Sequence, residues 1–258
     1  MGKLDNKVGL VTGSAHSIGK AISIGLAREG ADMVIADMEV EGLNKTAEEI
    51  TALGRQVLPV ETNVLKAEQI EALFTKAMEK FGRVDILVNC AGIFNGGPVD
   101  QLEVDTWDAV IGTNLRAPFL CTRQAFPIMK KQGGGRIINI GSISAQRPRM
   151  FSTPYSTAKS GLVGLTNAVA LEGREHGINC GILHPGEVTR DRLPTPPAGF
   201  TPPPGATLPA GFTPPGPMET MSTEEIAAAA VYMATCPPNV NVLELIQLPI
   251  QQPYLGRG

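Results

Sequence analysis

The sequence predicts an α/β fold in which one doubly wound parallel sheet carries helices on both faces. Short runs rich in β-branched residues alternate with longer amphipathic stretches, and glycines fall just past the ends of several of those stretches. Strands at Val8–Val11, Met33–Ala36, Gln56–Val60, Ile86–Val88, Arg136–Ile140, Ile178–Leu183 and Val242–Leu248 read as near-continuous apolar runs, the pattern of strands covered on both sides. Helices are expected over Ile18–Glu29, Leu43–Leu53, Ala67–Phe81, Thr106–Lys131, Pro154–His176 and Thr223–Thr235. Gly30, Gly54, Gly82 and Gly177 lie where those helices stop, and Thr223 with Glu225 marks a polar, acidic helix start. The 258 residues, 43% of them hydrophobic, suffice for one domain with a sizeable core.

Charge and cysteine usage exclude several functional classes. The formal net charge is −3 with both signs mixed along the chain, so a nucleic-acid binder's basic footprint is missing. Cys90, Cys121, Cys180 and Cys236 are far apart and form no CxxC pair, which suits reduced thiols and neither a metal site nor a disulfide framework. The apolar run after the polar start is too short for a signal-peptide core, and no stretch approaches the roughly 18–20 apolar residues of a membrane span. A cytoplasmic protein without membrane or nucleic-acid partners is expected.

One tract breaks the rhythm. Pro194 to Pro217 is rich in proline and glycine, and PAGFTPP occurs at Pro197–Pro203 and again at Pro209–Pro215. Proline removes backbone donors and fixes φ, so neither a helix nor a central strand should persist there. A surface insertion and a lid carrying Phe200 and Phe212 are both open. Its position after a strand end, where open α/β sheets bind ligands, favours the lid over about 190–218.

The first strand runs into Thr12-Gly13-Ser14-Ala15-His16-Ser17-Ile18-Gly19. A glycine-rich turn between strand and helix aims backbone N–H groups at an anion. The second strand ends at Asp37, and in a dinucleotide fold such a carboxylate accepts bonds from the adenosine ribose and repels a 2′-phosphate. With Met38 next in place of a cation, NAD is favoured over NADP. Further on, Tyr155 and Lys159 stand four apart on a predicted helix and share a face. A nearby ammonium favours phenolate over phenol, so the tyrosine suits general acid/base work. Ser142 ends the strand thirteen positions earlier, where a hydroxyl can bond an oxygen that gains charge. Capping a turn is its other reading.

Taken in order, TGSAHSIG, Asn89-Cys90-Ala91-Gly92, Asn114, Ser142, Tyr155-Ser-Thr-Ala-Lys159 and Pro185-Gly186 resemble the motif series of the short-chain dehydrogenase/reductase family, from about Lys3 to Pro185. The resemblance implies a Rossmann fold with seven parallel strands and an NAD(P)(H)-dependent interconversion of a secondary alcohol and a ketone. It implies that Tyr155 transfers the proton, Ser142 polarises the substrate oxygen, Lys159 tunes Tyr155 and bonds the nicotinamide ribose, and Asn114 holds a water that links Lys159 to solvent. Cofactor contacts are implied for Gly13, Ser17, Ile18, Asp37, Asn63, Val64, Asn89, Ala91, Gly92, Tyr155, Lys159, Pro185, Gly186 and Val188. Ile93, Phe94, Ser144, Gln146, Arg149 and Glu187 are expected near a small-molecule substrate, and a dimer or tetramer is implied.

The sequence also departs from the family. Ser17 stands at the middle glycine of the phosphate turn, where its Cβ crowds the pyrophosphate or its hydroxyl donates to it. Cys90 replaces an asparagine. Thr189 comes one residue early, which shifts a nicotinamide contact to the Val188 backbone. The C-terminal LIQLPIQQPYLGRG reads as an arm that packs on a neighbouring subunit. A scaffold or redox sensor with little turnover and a reductase of carrier-bound 3-oxoacyl groups are the competing functions. Arg123, Lys130 and Lys131 would dock the carrier but read better as a solvated helix face.

Overall fold

The computed structural model describes residues 2–189 and 220–254. The proline-rich tract, with Phe200, Phe212 and the lid reading, lies outside the described residues. Seven strands form one sheet in the order β3-β2-β1-β4-β5-β6-β7, with every pairing parallel. They are β1 (Val8–Thr12), β2 (Asp32–Asp37), β3 (Val57–Glu61), β4 (Ile86–Asn89), β5 (Gly135–Ile140), β6 (Ile178–Pro185) and β7 (Glu244–Gln247). The helices are α1 (Ser17–Arg28), α2 (Val40–Ala52), α3 (Ala67–Phe81), α4 (Val104–Ile111), α5 (Ala117–Gln132), α6 (Thr153–Gly173) and α7 (Thr223–Thr235).

Strand alternation splits the core into two layers. Val11, Ile35, Val88 and Ile138 pack with residues of α1, α2 and α7 such as Ile22, Leu43 and Ile226. Their chain neighbours Leu10, Val34, Leu87 and Ile137 face the opposite side and pack with Leu73, Phe74, Ala125 and Met129 of α3 and α5. Each such side chain contributes about 1.5–3 kcal/mol when taken from water. Both faces of the central strands are therefore closed to solvent, and ligand access there is left to the strand ends.

Several boundaries differ from expectation for local reasons. Helix α2 starts at Val40 because the Glu39 carboxylate accepts from the Gly42 N–H and caps it. Helix α7 spans Thr223–Thr235 as expected, with Ser222 as its cap. Ser222 Oγ accepts from the Glu225 N–H, and Glu225 Oε2 accepts in return from the Ser222 N–H.

The long helix expected from Thr106 is interrupted by a π turn at Gly112–Arg116. Pro118 has no N–H to offer the Asn114 carbonyl four residues back, and the Ala117 N–H reaches five residues back to the Gly112 carbonyl. After β7 the chain turns, with the Gln252 N–H donating to the Pro249 carbonyl, and returns onto its own loops. Gln252 Oε1 accepts from the Glu187 N–H at 2.8 Å, and Arg147 Nε donates to the Tyr254 carbonyl at 3.1 Å. The described part of the C-terminal arm thus packs on its own chain, where Gly186 leaves room for Gln252.

Candidate active site

The motif residues gather at the C-terminal ends of the strands. The sheet order reverses direction between β1 and β4, and a doubly wound sheet opens a ligand crevice at that point. At the end of β1, Gly13 adopts φ +75°, and an added Cβ would stand 2.8 Å from the Ala91 backbone. A Cβ on Gly19 would stand 1.9 Å from the Gly13 carbonyl oxygen, so α1 can close on the turn only through glycine. His16 precedes α1 in an extended conformation and makes no side-chain cap, and the first turn holds no acidic residue. The opening turn of α1 therefore brings no carboxylate of its own to the phosphate turn, which suits an anion there.

Ser17 opens α1 at φ +52°, a left-handed conformation that a side chain makes costly. The substitution of glycine here strains the turn without unmaking it. We expect Ser17→Gly to raise stability by up to about 1 kcal/mol and to tighten NADH binding severalfold, read by thermal unfolding and by fluorescence titration. A weaker NADH complex would instead assign the Ser17 hydroxyl a direct phosphate contact.

Asp37, at the end of β2, accepts from the Ala15 N–H at 3.0 Å and from the Glu39 N–H at 3.1 Å. Its carboxylate is fixed beside the glycine turn, with Met38 exposed next to it. On α1 and α2, Lys20 pairs with Glu49 at 2.8 Å and Lys45 with Glu41 at 2.6 Å, both at the surface. Asn63 uses its Oδ1 to accept the Leu65 N–H and shapes the turn after β3, with Val64 half-buried in it.

The loop after β4 is tied to β1 by Thr12, whose Oγ1 accepts from both the Cys90 and Ala91 N–H groups at 3.2 Å. Asn89 turns inward and donates to Asn139 Oδ1 at 2.8 Å, and Asn139 donates on to Thr166 Oγ1 on α6. The Asn89 amide therefore steadies β4 against β5. Burial pushes the Cys90 thiol up to about 12, against the pull of Lys159, and Cys121 and Cys180 stand at about 12 for the same reason. None of these three is poised as a thiolate nucleophile.

Ser142, Tyr155 and Lys159 lie on the other side of the crevice. Lys159 is buried and its Nζ donates to the Ile140 carbonyl at 2.7 Å, which holds the ammonium at the end of β5. The same nitrogen stands 5.6 Å from the centroid of the Tyr155 ring. Phe94, after β4, meets that ring edge-on at 5.0 Å between centroids. Ser142 Oγ accepts from the Ser144 N–H at 3.1 Å and caps a short 3-10 turn at Ile143–Ala145. Capping uses an acceptor site only, so the hydroxyl hydrogen remains available to a substrate oxygen.

Asn114 sits in the π turn, where its Nδ2 donates to the Ile93 carbonyl at 2.8 Å and the Val110 carbonyl at 3.0 Å. Its Oδ1 is buried with no protein partner among the described residues, and Gly92 faces it so closely that a Cβ would stand 2.7 Å away. That atom is an acceptor open to a water or a cofactor.

The site is completed from β6. Gly186 N–H donates to the Gln247 carbonyl at 2.8 Å, and Val188 forms a parallel bridge with Met221. The side chain of Thr189 is bonded to Thr220. Arg149 Nη2 and Glu187 Oε2, both expected near substrate, meet at 2.6 Å and join the β5 and β6 loops. Sequence reasoning missed Thr12 and His184. The signal for the second was its place directly before Pro185-Gly186.

A model of the short chain dehydrogenase family matches residues 7–194. The chain is a short-chain dehydrogenase. It is 36% identical over 234 residues to the uncharacterized oxidoreductase YxjF of Bacillus subtilis strain 168, covering 89% of this chain and 91% of that protein. It is 35% identical over 192 residues to a 3-oxoacyl-[acyl-carrier-protein] reductase of Synechocystis sp., covering 74% and 78%. Among solved structures, an alcohol dehydrogenase from Thermococcus sibiricus complexed with 5-hydroxy-NADP superposes with a TM-score of 0.80 at 26% identity, covering 96% of this chain and 98% of that one. The short-chain dehydrogenase is accordingly an oxidoreductase with a nicotinamide dinucleotide as cofactor. The turn built on Gly13 and Gly19 fits that group, because a Cβ on Gly13 would meet the Ala91 backbone and one on Gly19 the Gly13 carbonyl oxygen, so glycine alone closes this turn.

Proposed function

We propose that this enzyme interconverts a secondary alcohol and a ketone, with Tyr155 as general acid/base and NAD(H) preferred over NADP(H). The observation that carries the reading is the buried Lys159 ammonium, bonded to the carbonyl two residues before Ser142 and 5.6 Å from the Tyr155 ring. When bound, the nicotinamide supplies or takes the hydride at the carbonyl carbon. Ser142 donates its free hydroxyl hydrogen to the substrate oxygen and stabilises the charge that develops there. In reduction Tyr155 gives its phenolic proton to that oxygen, and in oxidation it takes the proton back. Lys159 favours the phenolate that remains, by charge alone. The open Asn114 Oδ1 supports a water between this cluster and solvent. Gly13, Ser17, Ile18, Asp37, Asn63, Val64, Ala91, Gly92, Pro185, Gly186 and Val188 line the crevice that would hold the dinucleotide, with Asn89 behind them.

Phe94 meets the Tyr155 ring, and further apolar side chains stand on the loops that follow β4 and β5. Ile93, Phe94, Met150 and Phe151 are exposed, and the Gly96 backbone packs against the Phe151 carbonyl so that the two loops share one mouth. This supports a ketone with a hydrophobic body. The fixed Asp37 carboxylate, with Met38 exposed next to it in place of a cation, supports the unphosphorylated cofactor. The test is oxidation of NADH and of NADPH over a panel of acyclic, cyclic and aryl ketones with a 3-oxoacyl thioester included. Aryl ketones with NADH, at a kcat/KM at least about tenfold above NADPH, are expected. Dominant activity on the thioester with NADPH would replace this reading with the 3-oxoacyl reductase.

A further inference from the structure

We infer that His184 is a positioning residue for Ser142, acting as the acceptor of the serine's backbone N–H and oriented by Glu244. The inference rests on Ser142 having the role proposed above. His184 stands on β6 with 1% of its surface exposed, directly under the turn that carries the serine. Its Nδ1 lies 3.1 Å from the Ser142 nitrogen and 2.8 Å from the Ser142 carbonyl oxygen. A single ring nitrogen cannot accept from the first and donate to the second at once, so one tautomer must be chosen.

The accounting of buried backbone groups makes the choice. The Ser142 carbonyl already accepts from the Ala145 N–H at 3.0 Å. The Ser142 N–H has the imidazole as its acceptor. A buried N–H without a partner is costly, so Nδ1 carries the lone pair and the proton sits on Nε2. Nε2 lies 3.4 Å from Glu244 Oε1 of β7, short of a hydrogen bond in its geometry, so the carboxylate draws the proton to that side by charge. Glu244 is itself held by Gln146, whose Nε2 donates to it at 2.7 Å, and Gln146 Oε1 accepts from the Tyr254 hydroxyl. Gln146 follows the serine turn by one residue, so Ser142, His184, Glu244 and Gln146 close a ring across β5, β6 and β7. An added Cβ on Gly141 would stand 2.6 Å from His184 Nδ1, so the imidazole packs directly against the backbone of the turn and only glycine fits between them.

Protonation would remove the lone pair that holds the Ser142 N–H. Burial lowers the His184 pKa below its ordinary value, the Ser142 carbonyl and Glu244 favour the proton, and Lys159 of α6 opposes it. The ring therefore stays neutral near pH 7, and the clamp is lost only on the acid side of the usual histidine range, about 6.5. The unfolded chain takes up this proton first as pH falls. The neutral ring's contribution to stability is thus full above the unfolded value and lost as pH falls towards the folded one.

The test combines a spectroscopic and a kinetic readout. Ring-nitrogen NMR on the full chain labelled with ¹⁵N-histidine should show His184 neutral at pH 7.5 with its proton on Nε2. A proton on Nδ1, or an imidazolium, would overturn the assignment. With acetophenone and NADH, His184→Leu should lower kcat at least about tenfold while the NADH dissociation constant stays unchanged. His184→Asn, whose amide can place an acceptor where Nδ1 was, should keep kcat within about threefold and lose the wild-type acid limb. His184→Leu as fast as wild type, or the same acid limb in His184→Asn, would refute the positioning role. A wild type that reduces no ketone while NADH binds would overturn the functional reading and the inference with it, and the tautomer would still be decided by NMR.

Discussion

Replacing Tyr155 by phenylalanine is expected to lower kcat for ketone reduction by about 10²- to 10⁴-fold, the usual contribution of a positioned general acid, while leaving the NADH dissociation constant close to wild type. The variant isolates the proton. Tyr155 is half-buried on the first turn of α6, and its ring meets Phe94 edge-on at 5.0 Å, a contact that phenylalanine retains. The Lys159 bond to the Ile140 carbonyl does not involve the phenol, so the ammonium keeps its place. The loss corresponds to about 3 to 5 kcal/mol of barrier. Measuring kcat and NADH affinity on the same preparation checks it, and turnover equal to wild type would remove Tyr155 from the chemistry.

Ser142→Ala is expected to cost about 10²- to 10³-fold in kcat, the scale on which one donor to a developing oxyanion acts. The serine has a second role, because its Oγ caps the Ile143–Ala145 turn by accepting from the Ser144 N–H. Loss of a cap costs about 1 kcal/mol of stability, far less than the catalytic loss. The two roles separate in Ser142→Thr, which keeps a hydroxyl that can both cap and donate. It should recover most of the stability and more activity than alanine. An alanine variant that loses stability but turns over at the wild-type rate would leave Ser142 with the cap alone.

The architecture was legible because its determinants are local or periodic. Runs such as Ile86–Val88 and Ile137–Ile138 are apolar throughout, and two-sided burial of Leu87 and Val88, or of Ile137 and Ile138, is the reason. The glycine turn could be read because only a residue without a Cβ fits at Gly13 and Gly19. The pairing of Tyr155 with Lys159 follows from helical spacing alone.

What escaped the sequence depends on partners far along the chain or on a missing donor. The π turn at Asn114 follows from Pro118, which stands inside the expected Thr106–Lys131 helix and signals an interruption there without fixing its form. His184 lies 42 residues from Ser142 in the chain, and only the β5–β6 register brings them together. The C-terminal arm read as a subunit contact because its apolar residues looked exposed. Within the chain its Gln252 fits over Gly186, a match that no composition shows, while Ile250 stays exposed.

The most direct measurement is the fate of deuterium when the purified protein is mixed with stereospecifically 4-deuterated NADH and the ketone panel. If Ser142, Tyr155 and Lys159 form a working centre, one deuterium will appear at the carbinol carbon of the product alcohol, from one face of the nicotinamide only, and Tyr155→Phe will nearly abolish the transfer. Tight NADH binding with no deuterium in any product would contradict the account.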